Sequence, residues 1–372
     1  MEKKALIVGV SGVIGNALSE HLLAEGWTVY GLSRGRTPVA SGCIQITADL
    51  TDPAQLAAAL GGLDVRQVFF TAWARQATEK ENIRVNGAMV QDVLDAVGPA
   101  LHGGHAALVT GLKHYLGPFE AYGTGNVPQT PFREEQGRQE VDNFYYAQED
   151  RLFEAAERHG FSWSVHRPHT IIGYAVGNAM NMGVTLAAYA TLCKANGQPF
   201  VFPGSAAQWE GLTDMTDARL LARHLAWAAQ SPKAKNEDFN VVNGDVFRWQ
   251  WLWPRLAEYF GIEAAPFDGV VRPLADRMAS SPAEWTGIAA RHGLKESDLG
   301  KLASWWHTDA DLGRPMEVLA DMTKSRKAGF LDYQSTEDAF IDLFGRLEAE
   351  RVIPPAQASS VGATDPDPIL GR

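Results

Sequence analysis

A glycine-rich turn near the N-terminus most constrains the fold of this chain. Residues 9–15 read G-x-x-G-x-x-G, directly after the apolar run 5–9 and just before a segment with Ile14, Leu18 and Leu22 on one helical face. The apolar run is typical of a buried parallel strand, and the later spacing is typical of a helix. Glycines in this order let the backbone approach a pyrophosphate at the positive end of that helix. Glycine spacing alone would indicate only a turn, but strand, glycines and helix in sequence predict a dinucleotide site.

The pattern of strands and helices that follows predicts the fold class. Further apolar or β-branched runs lie at residues 28–32, 44–47, 67–73, 107–110 and 163–167, and helical patterns lie between them. Such alternation predicts an α/β protein with a Rossmann-type, doubly wound parallel sheet and right-handed crossovers.

The alternation becomes irregular and mainly helical beyond Gly173. We therefore expect residues 1–173 to be mainly the dinucleotide-binding domain. Residues 174–353 are expected to be mainly a smaller, helical substrate-binding region, with some segments returning to the sheet. Residues 354–372 are rich in Pro, Ala, Ser and Asp, and we expect a disordered tail there.

Two arginines directly after the second predicted strand indicate which dinucleotide binds. An NAD site usually carries an acidic residue here for the ribose 2′-hydroxyl, but this chain has Ser33, Arg34 and Arg36. Arginine suits a 2′-phosphate, so we expect NADPH or NADP+ as the cofactor. The alternative interpretation is a solvated basic loop.

The overall charge and the cysteine count exclude several classes of function. A net charge of −11 argues against non-specific binding to nucleic acid or to an anionic membrane. The two cysteines, Cys43 and Cys193, cannot form a disulfide framework or a cysteine zinc site, and we expect no metal. No apolar run approaches the roughly 18 residues of a membrane span. We expect a cytoplasmic protein; its oligomeric state stays open, with a homodimer as the candidate.

A pair of adjacent tyrosines is the strongest candidate for catalysis. Tyr145 and Tyr146 lie near the start of a predicted helix within residues 143–150. A phenol can donate a hydrogen bond to a carbonyl and stabilise the oxyanion that forms when hydride arrives. The alternative is an aromatic cluster that packs the helix onto the sheet. Spacing cannot separate the two phenols, because adjacent helical residues point about 100° apart.

Several long sequence strings carry a family resemblance. They are residues 110–119 (TGLKHYLGPF), 143–150 (NFYYAQED), 163–168 (WSVHRP) and 239–247 (FNVVNGDVF). With the glycine turn and the arginines, these strings resemble the progesterone 5β-reductase and iridoid synthase group of enone reductases. That group is part of the extended type of the short-chain dehydrogenase/reductase superfamily. The likeness runs from the first strand to about Pro354.

The chain departs from ordinary short-chain dehydrogenases in one respect. Those enzymes use Tyr-x-x-x-Lys on one helix, whereas the fourth residue after Tyr145 is Glu149 and the fourth after Tyr146 is Asp150. A cation must therefore come from elsewhere, and Lys113 follows the fifth predicted strand. The resemblance implies Tyr145 and Lys113 as the catalytic pair, and Tyr146 remains the second candidate phenol.

The resemblance also implies a reaction. We expect NADPH-dependent reduction of the C=C bond of an α,β-unsaturated carbonyl compound, a small apolar enone of steroid type or another type, with hydride added at the β-carbon. The residues expected to contact the cofactor are Gly9, Ser11, Gly12, Val13, Ile14, Ser33, Arg34, Arg36, Asp49, Leu50, Thr71, Ala72, Trp73, Thr110, Lys113, Tyr145, Pro168 and Ile171. Those expected to contact the substrate are Trp73, Phe119, Met182 and Phe330, of which the resemblance favours Phe119 and Phe330.

Three alternatives remain at the level of sequence. A carbonyl reductase could use the same phenol. A nucleotide-sugar epimerase or dehydratase on this fold would want the missing Tyr-x-x-x-Lys lysine. A non-catalytic regulator that senses NADP need not keep both Tyr145 and Lys113.

Overall fold

The computed structural model describes residues 3–118 and 128–356. Within these ranges, seven parallel strands form one sheet and two short strands form a second. The strands are β1 Lys4–Val8, β2 Thr28–Ser33, β3 Ile44–Thr47, β4 Gln67–Phe70, β5 His105–Val109, β6 Ser162–Pro168, β7 Ile171–Ile172, β8 Thr216–Asp217 and β9 Glu237–Val241. The large sheet has the order β3-β2-β1-β4-β5-β6-β9, which confirms the Rossmann-type expectation.

The order of the strands reverses at β1. Val8, the last residue of β1, pairs with Leu32 of β2 on one side and Phe70 of β4 on the other. The chain leaves β1 toward one edge of the sheet and later returns to build the other edge from β4. Ligands of open α/β sheets bind in the crevice at such a reversal, beyond the carboxyl ends of the strands.

Helices cover both faces of the sheet and form most of the second half of the chain. They are α1 Val13–Ala24, α2 Pro53–Leu60, α3 Glu79–Val97, α4 Lys113–Leu116, α5 Phe144–His159, α6 Met182–Ala195, α7 Ala206–Glu210, α8 Ala218–Gln230, α9 Trp249–Phe260, α10 Leu274–Arg277, α11 Ser281–His292, α12 Trp305–Leu312, α13 Thr323–Ala328 and α14 Thr336–Ala349.

Each face of the sheet has its own core. Ala5 and Ile7 of β1 face the layer formed by α1 and α8, whereas Leu6 and Val8 face the layer formed by α3 and α5. This alternation follows from the period of two along a strand. Because α8 and β9 come from the second half of the chain, that half supplies part of one layer and the last strand of the sheet.

A third core lies in the second half, around α6, α9 and α14. The buried side chains of Trp249, Trp253 and Trp285 are its largest members. The division of the chain at residue 173 stays a prediction. At the start of the expected disordered tail Pro355 is exposed and Ala356 is buried. The remainder of that tail lies outside the described residues, so its disorder stays a prediction. No helix in the described ranges is long and apolar enough to cross a membrane.

Candidate active site

The glycine turn after β1 holds the start of α1 against the sheet. Gly9 has a φ of +87°, and a Cβ there would lie 2.9 Å from the Cβ of Ala72. A Cβ on Gly15 would lie 2.2 Å from the backbone oxygen of Gly9. Only glycine fits these two positions. The first turn of α1 carries no acidic side chain, so its positive end is open to an anion.

A cleft of about 850 Å³ lies beyond the carboxyl ends of the strands. All eighteen residues that we expected to contact the dinucleotide line its wall. The wall also includes residues that the sequence did not single out for it: Leu32, Thr37, Ala48, Thr51, Ala74, Arg75, Gln76, Met89, Gly111, Leu112, Leu116, His169, Thr170, Val176, Gly177, Asn178, Ala179, Met180, His307, Asp311 and Arg314. Contact between any of them and a cofactor stays a prediction.

Basic side chains lie at the end of the cleft next to β2. Arg34 and Arg36 are exposed. The carboxylate of Asp49 accepts hydrogen bonds from the backbone and hydroxyl of Thr51 at 2.9 and 2.8 Å. These bonds, and more weakly the two arginines, lower the pKa of Asp49. Its carboxylate is thus ionised and in part engaged by its own turn.

The loop after β4 is fixed by α3. The Asn86 side chain accepts a hydrogen bond from the backbone N–H of Ala74 at 2.7 Å and donates to its carbonyl at 2.9 Å. This contact holds the neighbouring Trp73, whose ring stacks on that of Phe144 with centroids 5.4 Å apart. Asn86 is therefore structural, and Trp73 lines the cleft as expected.

The two candidate phenols lie in different surroundings. The Tyr145 side chain lines the cleft, and its hydroxyl lies 3.2 Å from the position of a Cβ built on Gly111. Tyr146 is buried and does not line the cleft. Its hydroxyl donates to the backbone oxygen of His114 at 2.6 Å and accepts from the backbone N–H of Gln139 at 3.1 Å. Packing thus separates two residues that sequence spacing could not separate, and it favours Tyr145 as the reacting phenol.

Lys113 opens the short helix α4 next to Tyr145 and also lines the cleft. Its Nζ lies 5.4 Å from the centre of the Trp73 ring and 5.5 Å from that of Phe144. A cation at this distance from aromatic faces is stabilised by them. This part of the cleft therefore combines the Tyr145 phenol and the Lys113 ammonium group with the aromatic ring of Trp73.

Glu149, one helical turn after Tyr145, does not line the cleft. Its side chain is buried, and its carboxylate lies 2.9 Å from Arg138 and 3.4 Å from Arg167. Burial by itself would raise the pKa of this carboxyl. The neighbouring His114 and the two arginines outweigh burial and lower the pKa. The position used by the lysine in ordinary short-chain dehydrogenases is thus part of a buried ion cluster.

Another part of the cleft wall is more polar than the sequence led us to expect. His169 Nδ1 lies 2.8 Å from Asp214 and its Nε2 lies 2.7 Å from Arg314. Because arginine only donates, Nε2 accepts the hydrogen bond from Arg314, and the Nδ1–H group donates one to the Asp214 carboxylate. The Arg314 guanidinium also pairs with Asp311. The hydrogen bonds of His169 thus fix the orientation of its ring.

His307 completes this wall, and α12 carries it one turn before Asp311. Burial lowers its pKa, and the cations Arg314, Lys113 and Arg75 lower it further against the opposing effect of Asp311. Neither His307 nor Asp311 was predicted from the sequence. Because they are four residues apart in a helical pattern, the sequence could have placed them on one helix face, but it gave no other indication of a site.

Two of the four expected substrate residues lie elsewhere. Met182 is fully buried in the core around α6. Phe330 packs edge-on against His224, with ring centroids 4.5 Å apart, in a separate buried cluster. Neither lines the cleft, and their apolar side chains fill cores instead; contact of either residue with a substrate stays a prediction. Phe119 lies outside the described residues, and Met180 is the methionine found on the wall.

The sequence is similar to one protein family and to several named enzymes. Residues 44–354 match the profile of the PRISE-like Rossmann-fold domain. The chain is 40% identical over 365 residues to an (S)-8-oxocitronellyl enol synthase of Camptotheca acuminata, covering 94% of this chain and 93% of that protein. It is 38% identical over 366 residues to a 3-oxo-Delta(4,5)-steroid 5-beta-reductase of Arabidopsis thaliana, covering 95% and 94%.

Solved structures show a similar fold at much lower sequence identity. The UDP-N-acetylglucosamine 4-epimerase of Bacillus cereus superposes with a TM-score of 0.63 at 13% identity, covering 93% of this chain and 97% of that one. At this level of identity the likeness concerns the fold alone.

Proposed function

The chain belongs to the family of PRISE-like Rossmann-fold proteins, and on that premise we propose that it is an NADPH-dependent reductase of the C=C bond of α,β-unsaturated carbonyl compounds. The names of the two relatives support this chemistry. A 3-oxo-Delta(4,5)-steroid is an enone. An oxocitronellyl enol is the kind of product that forms when an unsaturated carbonyl gains hydride at its β-carbon and a proton on its oxygen.

The residues on the cleft wall fit a dinucleotide with a 2′-phosphate. Gly9 and Gly12 leave room for the pyrophosphate against the open positive end of α1. The exposed Arg34 and Arg36 lie where the 2′-phosphate would be expected after β2. When bound, NADPH would supply the hydride for the β-carbon of the substrate.

Tyr145 and Lys113 carry the chemical part of the proposal. The Tyr145 hydroxyl would donate a hydrogen bond to the carbonyl oxygen of the substrate and stabilise the negative charge that this oxygen gains. The Lys113 ammonium would hold the nicotinamide ribose and favour a polarised phenol. The observation that carries the proposal is that these two groups line one cleft with the glycine turn, while Tyr146 is engaged in backbone contacts.

An epimerase or dehydratase is a weaker candidate despite the shared fold. Those enzymes require a lysine four residues after the tyrosine, whereas this chain has the buried and ion-paired Glu149 at that position. The enone reductase needs no group at that position, because Lys113 supplies the positive charge from another element.

The decisive experiment is an assay of the purified protein with NADPH and 2-cyclohexen-1-one, followed by progesterone. Cofactor absorbance reports turnover, and product analysis identifies which bond is reduced. We expect the saturated ketone. An allylic alcohol would show reduction of the carbonyl instead, and the absence of NADPH consumption with both enones would contradict the proposal.

A further inference from the structure

The side chain of Asn143 joins the two residues of the proposed catalytic pair. Its oxygen accepts a hydrogen bond from the backbone N–H of Tyr145 at 3.0 Å, and its nitrogen donates to the backbone oxygen of Lys113 at 2.8 Å. Asn143 is 4% exposed, so water cannot easily replace either bond. One amide group thus contacts the backbone of both residues.

The two hydrogen bonds have different consequences. The first caps α5, which is an ordinary role for asparagine. The second attaches α4 to α5, and α4 is a four-residue turn without a side-chain cap of its own. The Tyr146 hydroxyl makes a second attachment, to the backbone of His114. The turn that carries Lys113 is therefore held by the first turn of the helix that carries Tyr145.

We propose that Asn143 is a positioning residue that sets the Lys113 ammonium relative to the Tyr145 phenol; this inference rests on the proposed function. In the Tyr-x-x-x-Lys arrangement a single helix fixes both groups. Here the two groups lie on different elements, thirty-two residues apart in sequence, so that a contact in space must fix their separation. The Asn143 amide is that contact.

A double-mutant cycle of Asn143→Ala and Lys113→Ala tests the proposal, read as kcat with 2-cyclohexen-1-one. Misplacement of a catalytic group by about 1 Å costs up to 100-fold, so we expect Asn143→Ala to lower kcat by about 10- to 100-fold. If Asn143 acts through Lys113, Asn143→Ala in the Lys113→Ala background should lower kcat by less than about twofold. Equal losses in the two backgrounds would overturn the proposal.

A second variant separates capping from positioning. Asn143→Ser keeps a side-chain oxygen that can cap α5 and removes the amide donor to Lys113, without adding a charge at this buried position. We expect a smaller drop in melting temperature than in Asn143→Ala and a similarly lowered kcat. Full activity in this variant would contradict the inference, because the donor would then be dispensable.

Asn181 offers a matched control. Its side-chain oxygen caps α6 at Val184 with a distance of 3.3 Å, and its nitrogen donates to the backbone oxygen of Gly173 at 2.8 Å. Asn181→Ala removes the same two kinds of bond without touching Lys113. Its effect on kcat should be the same in both Lys113 backgrounds, and coupling as large as that of Asn143 would argue against a specific role for Asn143.

The inference can fail separately from the proposed function. If the wild-type protein reduces no enone, the proposed function is wrong. The double-mutant cycle is then carried out by measuring the dissociation constant of NADPH, which needs no substrate. A misplaced Lys113 would lose its proposed hydrogen bond to the nicotinamide ribose, worth about 0.5–1.5 kcal/mol, so Asn143→Ala should weaken NADPH binding by about 2- to 13-fold. That loss should vanish in the Lys113→Ala background, and additivity there would overturn the positioning role.

Discussion

The carboxylate of Glu149, one helical turn after Tyr145 on α5, lies 3.5 Å from the Nδ1 of His114. Glu149 stands four residues after Tyr145, where an ordinary short-chain dehydrogenase has its lysine. Here that position belongs to a buried cluster with Arg138 and Arg167. Lys113, on a different element, is the cation that our proposal places beside Tyr145, and position 149 serves the fold instead.

Restoring the lysine should damage the protein instead of improving it. Glu149→Lys places a third cation beside Arg138 and Arg167 and removes their partner. Breaking a buried ion pair costs about 3–5 kcal/mol, so we expect a loss of unfolding free energy of that size, measured by urea denaturation. The control is Asp150→Lys, which removes an exposed partner of Arg138 and should cost about 1 kcal/mol or less. Equal effects of the two changes would contradict this account.

The two adjacent tyrosines should respond differently to loss of the hydroxyl. Removal of one oxyanion donor costs about 3–4 kcal/mol, so Tyr145→Phe should lower kcat by roughly 100- to 1000-fold with a nearly unchanged melting temperature. Tyr146→Phe removes two backbone contacts and should cost about 1 kcal/mol of stability with a far smaller loss of kcat. Steady-state kinetics and thermal denaturation of both variants check the assignment. The reverse pattern would identify Tyr146 as the reacting phenol.

Cofactor preference should depend on the two exposed arginines after β2. Arg34→Ala with Arg36→Ala should raise the KM for NADPH by about 10- to 100-fold, because charge-assisted bonds to a phosphate contribute about 1.5–3 kcal/mol. The KM for NADH should change little. Arg84→Ala is the control, since Arg84 is exposed on α3 and pairs with Glu81 away from the cleft. A parallel loss with both cofactors would exclude recognition of the 2′-phosphate.

A chain of buried histidines should make the fold sensitive to acid. His105 contacts Ser164 at 2.8 Å, Ser164 contacts His166 at 2.8 Å, and His166 contacts His224 at 3.0 Å. Burial lowers the pKa of His105 and of His224 to about 3, and that of His166 also falls. These imidazoles are therefore neutral in the folded protein throughout the physiological range.

The sign of the pH dependence follows from this depression. In the unfolded chain each histidine takes up a proton below about pH 6.5, whereas the folded protein excludes it. Stability is thus complete above pH 6.5 and declines as the pH falls from there toward 3. For His105 and His224 together we expect a loss of about 4 kcal/mol between pH 8 and pH 5, measured by urea denaturation.

A variant of the last histidine tests the cause. His224→Phe should reduce the slope of stability against pH, whatever its stability at pH 8. The exposed His292 provides the control, because His292→Ala should leave the slope unchanged. A slope that is equal in all three proteins would show that other groups govern the acid response.

The strands and most helices were predictable from local patterns, because each of them buries one face. The helix of the paired tyrosines was expected near Asn143, and α5 begins at Phe144 with Asn143 as its cap. The residues that line the cleft beyond the strands were predictable for a different reason, since residues at the carboxyl ends of parallel strands meet at one edge of a sheet.

The other residues of the cleft were not predictable in this way. Met182 and Phe330 have the apolar character of either a pocket or a core, and only packing shows that both are core residues. His307, Asp311 and Arg314 reach the cleft through long-range contacts with the strand ends, which no local pattern encodes. The choice between Tyr145 and Tyr146 likewise depended on the orientation of α5.

Strand β9 completes the sheet beside β6, although it is separated from β6 by α6, α7 and α8. A gene cut after residue 173 would leave β6 as a bare edge and would uncover the face of α1 that α8 protects. The two halves are therefore one folding unit that cannot be inherited or exchanged as separate modules. Any replacement for the second half would have to supply both the last strand of the sheet and the helix that covers α1.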